Sequence, residues 1–526
     1  VNAETQRSRV DRLLDRIERI GNKLPEPFIL FAILLGLLAV VSTVMAMLGV
    51  TAQVPGQAEP VVIRGAFTPE GVEFLFTTLA DNFVEFPPLK NVVTILLAVG
   101  LAERTGLLTA FIRWAFGSAP PWLLPYAVGV IGVSANVMSD AAFVVIPPLA
   151  ALVFSAAGRH PVAGLLGGFA AVGAGYSTSV IVTSLDALFA GITSGIAESM
   201  PDPGTPVNPA SNLYFNAVSA VLLGVLAGVI IARVVEPAME RAGVSRVEVD
   251  DEETDAGEAG KSRQGEVTTV ELTRVERRGL VLAGLTVLLA TAGVLALALI
   301  PGSPLQNDTG GFLPESPLLD SIVTLAFLLF FLPALVYGIV VGAIRRSADI
   351  PALMARAIRD LAGFLVLAFI LGQFIALFDW SRIGTWVAVV GADGLQAIGL
   401  TGFPAIVAFM LLASLLNLFI ISGSSLWTLM AGVFVPLFLL LGFEPGFIQA
   451  AFRVGDAATQ VMTPLNPYMI VLLTFVRRYE PHAGIGTVMA RMVPFVVPFW
   501  LTWAAVLAVF YFAGVPIGPG MDARLP

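Results

Sequence analysis

Between Asn417 and Pro467 an arginine, an aspartate and a run of small hydroxyl residues interrupt otherwise apolar sequence, NLFIISGSSLWTLMAGVFVPLFLLLGFEPGFIQAAFRVGDAATQVMTPLNP. Arg453 carries a planar fork suited to a carboxylate. Asp456 lies three residues on, one helical turn away. Together with Asn417 it offers hard oxygen ligands for a cation such as Na+. Carbonyls freed by a break at Ser422-Gly423-Ser424-Ser425 could complete such a shell. Trp427 presents a flat face to an aromatic ring. Two further polar stretches sit in apolar surroundings: Ser134 to Asp140, containing Asn136, and Thr183-Ser184-Leu185-Asp186. An ionised group at bilayer depth costs at least ~2.5–3.5 kcal/mol on insertion scales, so each is first read as functional.

The composition is that of a membrane protein. Of 526 residues, 57% are hydrophobic and 13% charged, and the mean hydropathy is +0.87. Soluble domains carry roughly 25% charge. Repeated apolar runs of about 18 or more residues indicate an all-α polytopic membrane protein, whereas a barrel would show short alternating strands. The net charge of −9 resides largely in loops and gives no reason to expect a nucleic-acid partner. No cysteine is present, which excludes disulfides and thiolate metal sites.

Charge and length divide the chain as follows. Residues 1–26 form a cytoplasmic amphipathic N-terminus. Residues 27–235 form a first membrane half, with a re-entrant hairpin at 121–157 and a broken helix at 161–197. An acidic cytoplasmic linker, 236–276, follows. The second half, 277–515, has a hairpin at 403–443 and a broken helix at 446–476, and 516–526 is an external tail. The positive-inside rule places the N-terminus in the cytoplasm and the C-terminus outside, and gives about nine spans with two hairpins entering from opposite faces.

Hairpin plus broken helix therefore occurs twice in opposite orientation, an inverted repeat. Short echoes recur in the same order: Ser134-Ala135-Asn136 with Ser422-Gly423-Ser424, Pro148-Leu149 with Pro436-Leu437, and Thr183–Asp186 with Thr463–Asn466. Broken helices meeting at the midplane point to a secondary transporter, with substrate and coupling ion bound at the helix ends. No HExxH motif is present and the nearest approach to a Gly-x-Gly-Asp motif is Arg453-Val454-Gly455-Asp456, so no enzyme is expected. A sodium-coupled dicarboxylate carrier or a Na+/H+ antiporter of similar architecture is the alternative.

The motifs SANVMSDAAFVVIPPLAALVFSAAGRHPVAGL, TSLDALFAGIT, NLFIISGSSLW, RVGDA and MTPLNPY resemble the AbgT family of p-aminobenzoyl-glutamate transporters, over roughly 27–515. The resemblance implies a homodimer in a bacterial inner membrane, with nine spans and two hairpins per protomer. It implies cation-coupled transport, by H+ or Na+, of p-aminobenzoyl-glutamate, or of p-aminobenzoate and sulfonamide antimetabolites. In the latter case the protein would be an efflux pump conferring sulfonamide resistance. No cofactor is implied beyond Na+ as a bound coupling ion. Matched to the family, Asp186, Ser424, Trp427, Pro445, Arg453 and Pro464 are substrate-site residues, and Asn417 and Asp456 are sodium-site residues. Each has a structural rival. Arg453 and Asp456 would form a mutual ion pair, Trp427 a packing residue, Asp186 a helix cap, and the serines partners for freed backbone groups. The prolines would serve as helix breakers.

Overall fold

Within a bilayer no water is available to an open backbone, so apolar runs fold as helices that satisfy their own peptide groups. The computed structural model describes residues 27–53, 59–138, 141–247, 271–313, 316–360, 362–463 and 466–525. The expected N-terminal segment at 1–26, most of the acidic linker, Asp140 and Pro464 lie outside the described residues.

The chain opens with α1 (Pro27–Met47), then a two-residue antiparallel pair, β1 (Thr51–Ala52) and β2 (Val61–Val62), the only sheet among the described residues. Helices α2 (Pro87–Arg104) and α3 (Leu107–Gly117) are one apolar run bent by 61°, with Gly106 at the bend in a left-handed conformation, φ +84°. Next come α4 (Leu124–Ser134), a 3-10 turn at Ala135–Met138, and α5 (Ala141–Ala156). At 11 and 16 residues both are shorter than the ~20 a spanning helix needs. Helices α6 (Pro161–Ala174) and α7 (Ser184–Ala197) flank a non-helical stretch, and α8 (Leu213–Ile230) continues through a π turn to Arg241. Beyond the linker lie α9 (Arg274–Leu299), α10 (Ile322–Val341), the amphipathic α11 (Asp349–Asp360), α12 (Ala362–Trp380) and α13 (Ile383–Ala397). The second polar region is built from α14 (Phe403–Asn417), α15 (Gly423–Leu440), α16 (Pro445–Thr459) and α17 (Pro467–Arg477), and α18 (Ile485–Ala513) closes the bundle.

Among the described residues seven helices are long and apolar enough to cross a membrane, eight when α2–α3 is taken as one bent span. The comparison with the expected nine turns on the interruptions. Alone, α6, α7, α16 and α17 are too short, so nine crossings require each broken pair to cross as a unit. Conversely α15, expected as a hairpin arm, has 18 residues and is long enough to span.

The two polar regions interlock. Helices α4 and α5 pack on α6, and α14 and α15 pack on α16. The second piece of each broken helix then crosses to the other half: α7 packs on α15 and α16, and α17 on α5 and α6. Small residues permit this approach, because backbones can close only where side chains are absent. A Cβ at Gly173 would lie 2.2 Å from Val461 Cγ1, and one at Gly175 would lie 2.0 Å from the Val133 carbonyl oxygen. The two breaks are thus pressed against each other and against the last turn of α4.

At the foot of α6, Arg159 pairs with Glu236, whose Oε1 accepts from the His160 backbone N–H at 3.2 Å. The His160 ring is buried, with Nε2 3.2 Å from the Val244 carbonyl and Nδ1 without a partner. Burial holds this imidazole below its ordinary value of 6.5. An unfolded chain therefore takes up the proton first as the pH falls, and stability is lost below that value. The midpoint of thermal unfolding should drop between about pH 7.5 and about pH 5.5, and drop less in His160→Gln. An equal slope in the variant would remove His160 as the cause.

Candidate substrate and ion site

Helix α16 is buried along Pro445–Ala458, yet carries Gln449, Arg453 and Asp456. Spacings of four and three residues put these on one face, where a buried polar stripe must find partners. For Arg453 that partner is Asp186, not Asp456. Nη1 lies 2.8 Å from Asp186 Oδ1, with both side chains almost fully buried. Nη1 also donates to the Ser177 carbonyl at 2.5 Å, and Nε donates to Asn212 Oδ1 at 3.1 Å. The Gln449 amide, turned with Oε1 inward, accepts from Nη2 at 3.0 Å. The guanidinium lies 5.1 Å from the centre of the Phe189 ring. A charge taken out of water needs this many contacts to be tolerable.

Asp186 is both cap and counter-ion. Its Oδ2 accepts from the Thr183 backbone N–H and hydroxyl, each at 2.8 Å, closing a capping box at the start of α7. Its Oδ1 takes Arg453 and the Asn216 amide, which donates at 3.0 Å. The site therefore joins α7 and α8 of the first half to α16 of the second.

Asp456 stands differently. It is fully buried, and neither carboxylate oxygen has a hydrogen-bond partner. Asn417, the last residue of α14, donates its Nδ2 to the Asp456 carbonyl at 2.5 Å and to Thr459 Oγ1 at 2.9 Å, which leaves its Oδ1 unpartnered. The buried Gln460 Oε1, where α16 ends, is also unpartnered. The carboxylate lies against the start of α15, since a Cβ on Gly423 would sit 3.1 Å from Asp456 Oδ2. Unpartnered, buried oxygens on neighbouring elements are a donor set that suits a hard cation.

Of the other expected residues, Trp427 and Ser424 lie near this centre, and Pro445 sits ~12 Å along α16 from Arg453. Trp427 is fully buried and donates Nε1 to Thr193 Oγ1 at 3.1 Å. Its ring lies 4.6 Å from Phe452 and 6.4 Å from Phe189, so the three form an aromatic cluster beside Arg453. Ser424 is half-buried at the start of α15, its Oγ 3.1 Å from Ser422 Oγ. Pro445 begins α16, two turns before Arg453, and shapes the helix start. Trp427→Phe keeps the apolar ring and removes one hydrogen bond, so a loss of about 1 kcal/mol in unfolding free energy is expected. A loss above about 3 kcal/mol would mean that the indole is held by more than Thr193 and ring packing.

Five residues absent from the sequence-based set belong here: Thr193, Asn212, Asn216, Gln449 and Gln460. With its amide turned, Gln449 donates to Thr193 Oγ1 at 2.7 Å and so links the Trp427 indole to the Arg453 guanidinium, while Asn212 Oδ1 accepts from Arg453 Nε. Asn212 and Asn216 share a face at the start of an apolar helix, and Gln449 lies one turn before Arg453. That spacing was the available signal.

Interrupted helices from two halves, meeting at buried charges in a polytopic bundle, define a membrane transporter. The AbgT putative transporter family profile matches residues 12–525, and the chain belongs to that family. It is 36% identical over 518 residues to the p-aminobenzoyl-glutamate transport protein of Escherichia coli (strain K12), covering 98% of each chain. The crystal structure of the Alcanivorax borkumensis YdaH transporter matches with a TM-score of 0.86 and 35% identity, over 94% of this chain and 100% of that one. Neisseria gonorrhoeae MtrF, described with a class of antimetabolite efflux pumps, matches at 0.85 and 34%, over 97% and 100%. These relatives do not favour the dicarboxylate carrier or the Na+/H+ antiporter.

Proposed function

We propose that the protein is a cation-coupled secondary transporter of small aromatic carboxylates, p-aminobenzoyl-glutamate or p-aminobenzoate, and of sulfonamide-type antimetabolites. The observation that carries ion coupling is the buried Asp456 carboxylate without a partner, beside unpartnered oxygens of Asn417 and Gln460. A bare ionised carboxylate in such a place is strongly unfavourable, so the site needs a proton or a cation to be occupied stably. The oxygens present fit Na+, which when bound would supply the missing positive charge. Asn417, Asp456 and Gln460 would hold it.

Substrate recognition rests on Arg453. Its fork is held by Asp186, and a substrate carboxylate can replace Asp186 once that side chain moves away. The aromatic cluster of Trp427, Phe189 and Phe452 supplies ring-shaped apolar surface beside the fork. Trp427 is closed off by packing, so binding requires α15 to shift against α16. On this reading a core built from 121–200 and 403–476 moves against a scaffold of the other spans, the protein is a homodimer of the bacterial inner membrane, and the N-terminus is cytoplasmic. Transport of labelled p-aminobenzoate and p-aminobenzoyl-glutamate into proteoliposomes, under an imposed Na+ or H+ gradient, tests it. Absence of flux of either compound under both gradients would sink it.

A further inference from the structure

A cavity of about 1160 Å³ lies between α3, the end of α4 with its following turn, α9 and α10. None of Asp186, Trp427, Arg453 or Asp456 lines it. Its walls are apolar, with Phe111, Ile131, Ile181, Leu280 and Phe330 among them. Ser134 and Ser179 contribute the hydroxyls of the lining. Arg277, at the basic end of α9, is the one charged side chain among the lining residues.

At ~30 Å³ per molecule the space would take roughly forty waters, and walls that offer so few hydrogen bonds stay dry. An empty void of that size forfeits dispersion contacts along its whole lining. Hydrocarbon is the occupant that resolves both problems, and the setting supplies it. Val281, Leu285 and Leu288 of α9 line the cavity and are also strongly exposed, so it opens sideways past the most exposed long helix of the bundle. From Arg277 to Leu288 the helix rises ~16 Å. That is about the depth of one leaflet in a core ~30 Å thick. The charge matches too. Arg277 is exposed between Arg274 and Arg278, an end that the positive-inside rule places in the cytoplasm, and basic groups there attract anionic headgroups.

We propose that this cavity holds an acyl chain of an anionic phospholipid from the cytoplasmic leaflet, with its phosphate at Arg277. The chain end then lies against Ala135–Met138 and the helix break at Ser179–Ile181, so the lipid braces the first polar region from outside the transport site.

Gly284 provides the test, because it lines the cavity and a Cβ there meets nothing within 4 Å. Gly284→Trp fills the space without displacing backbone, and Gly284→Ala leaves it open. The full-length protein is reconstituted in vesicles of phosphatidylethanolamine and phosphatidylglycerol in equal parts, re-extracted, and its retained lipids are counted by native mass spectrometry. The wild type and Gly284→Ala should keep one phosphatidylglycerol per protomer, and Gly284→Trp should lose it. Arg277→Gln, an exposed substitution that needs no repacking, should reduce the preference for phosphatidylglycerol about fivefold. Equal retention in Gly284→Trp, or an unchanged preference in Arg277→Gln, would overturn the proposal. A Gly284→Trp variant that loses self-association at unchanged lipid count would also overturn it, and would assign the cavity to a second copy of the chain.

Discussion

Asp456→Asn should abolish gradient-driven transport while leaving the protein folded. The two sides of that expectation come from one fact. No donor reaches either carboxylate oxygen, so the substitution removes no protein hydrogen bond. It does remove the only charge among the unpartnered oxygens of Asn417, Asp456 and Gln460. A ligand that binds only the folded state raises stability by RT ln(1 + [L]/Kd), about 2.7 kcal/mol at a hundredfold excess over Kd. Wild-type protein in detergent should therefore unfold at a higher temperature in NaCl than in choline chloride, and Asp456→Asn should show little or no difference. Flux in proteoliposomes should fall to the level of protein-free vesicles under either gradient. If Na+ stabilises the variant as much as the wild type, the cation site lies elsewhere, whatever happens to transport. Asn417→Leu should behave similarly with a smaller effect, because the carboxylate remains.

What could be read from the sequence follows the cost of burial. Arg453, Asp456 and Asp186 stand out because an ionised group in an apolar run is expensive wherever the chain later folds. The interruptions were legible for a related reason: Gly, Ser and Pro in an apolar segment weaken a helix locally, and the helices end at Ala174 and at Thr459, inside the expected broken helices 161–197 and 446–476. Pairing was not legible. Helical spacing made Asp456 the obvious partner for Arg453, but Asp186 reaches it from the other half through an interlock of α7 with α16 that no local pattern encodes. Trp427 shows the same limit. An indole suits stacking on a ligand and packing in a core equally well, and only its complete burial against Phe452 and Thr193 separates the two in this conformation. Asn212 and Asn216 were hidden by their setting, since two amides at the head of a long apolar helix do little to lower its average hydropathy.

The pairing can be measured directly. Arg453→Leu leaves Asp186 buried with only Thr183 and Asn216 as donors. Breaking a buried pair from one side typically costs ~3–5 kcal/mol, because the remaining charge is uncompensated. Such a loss in unfolding free energy is expected for Arg453→Leu, with transport lost as well. The second substitution separates charge from packing. Asp186→Asn in the same chain keeps an oxygen for the Thr183 cap and removes the stranded charge, so the double variant should recover most of the lost stability and none of the transport. The coupling from this double-mutant cycle should fall in the ~0.5–3 kcal/mol range of residues in contact, or above it for a charged pair this deeply buried. The corresponding cycle of Arg453→Leu with Asp456→Asn should give weaker coupling, since no hydrogen bond or ion pair joins those side chains and only their charges interact across one turn. If the Asp456 cycle proves the stronger, Arg453 is neutralised within α16. Asp186 would then be a helix cap alone, and the exchange of Asp186 for a substrate carboxylate would lose its basis.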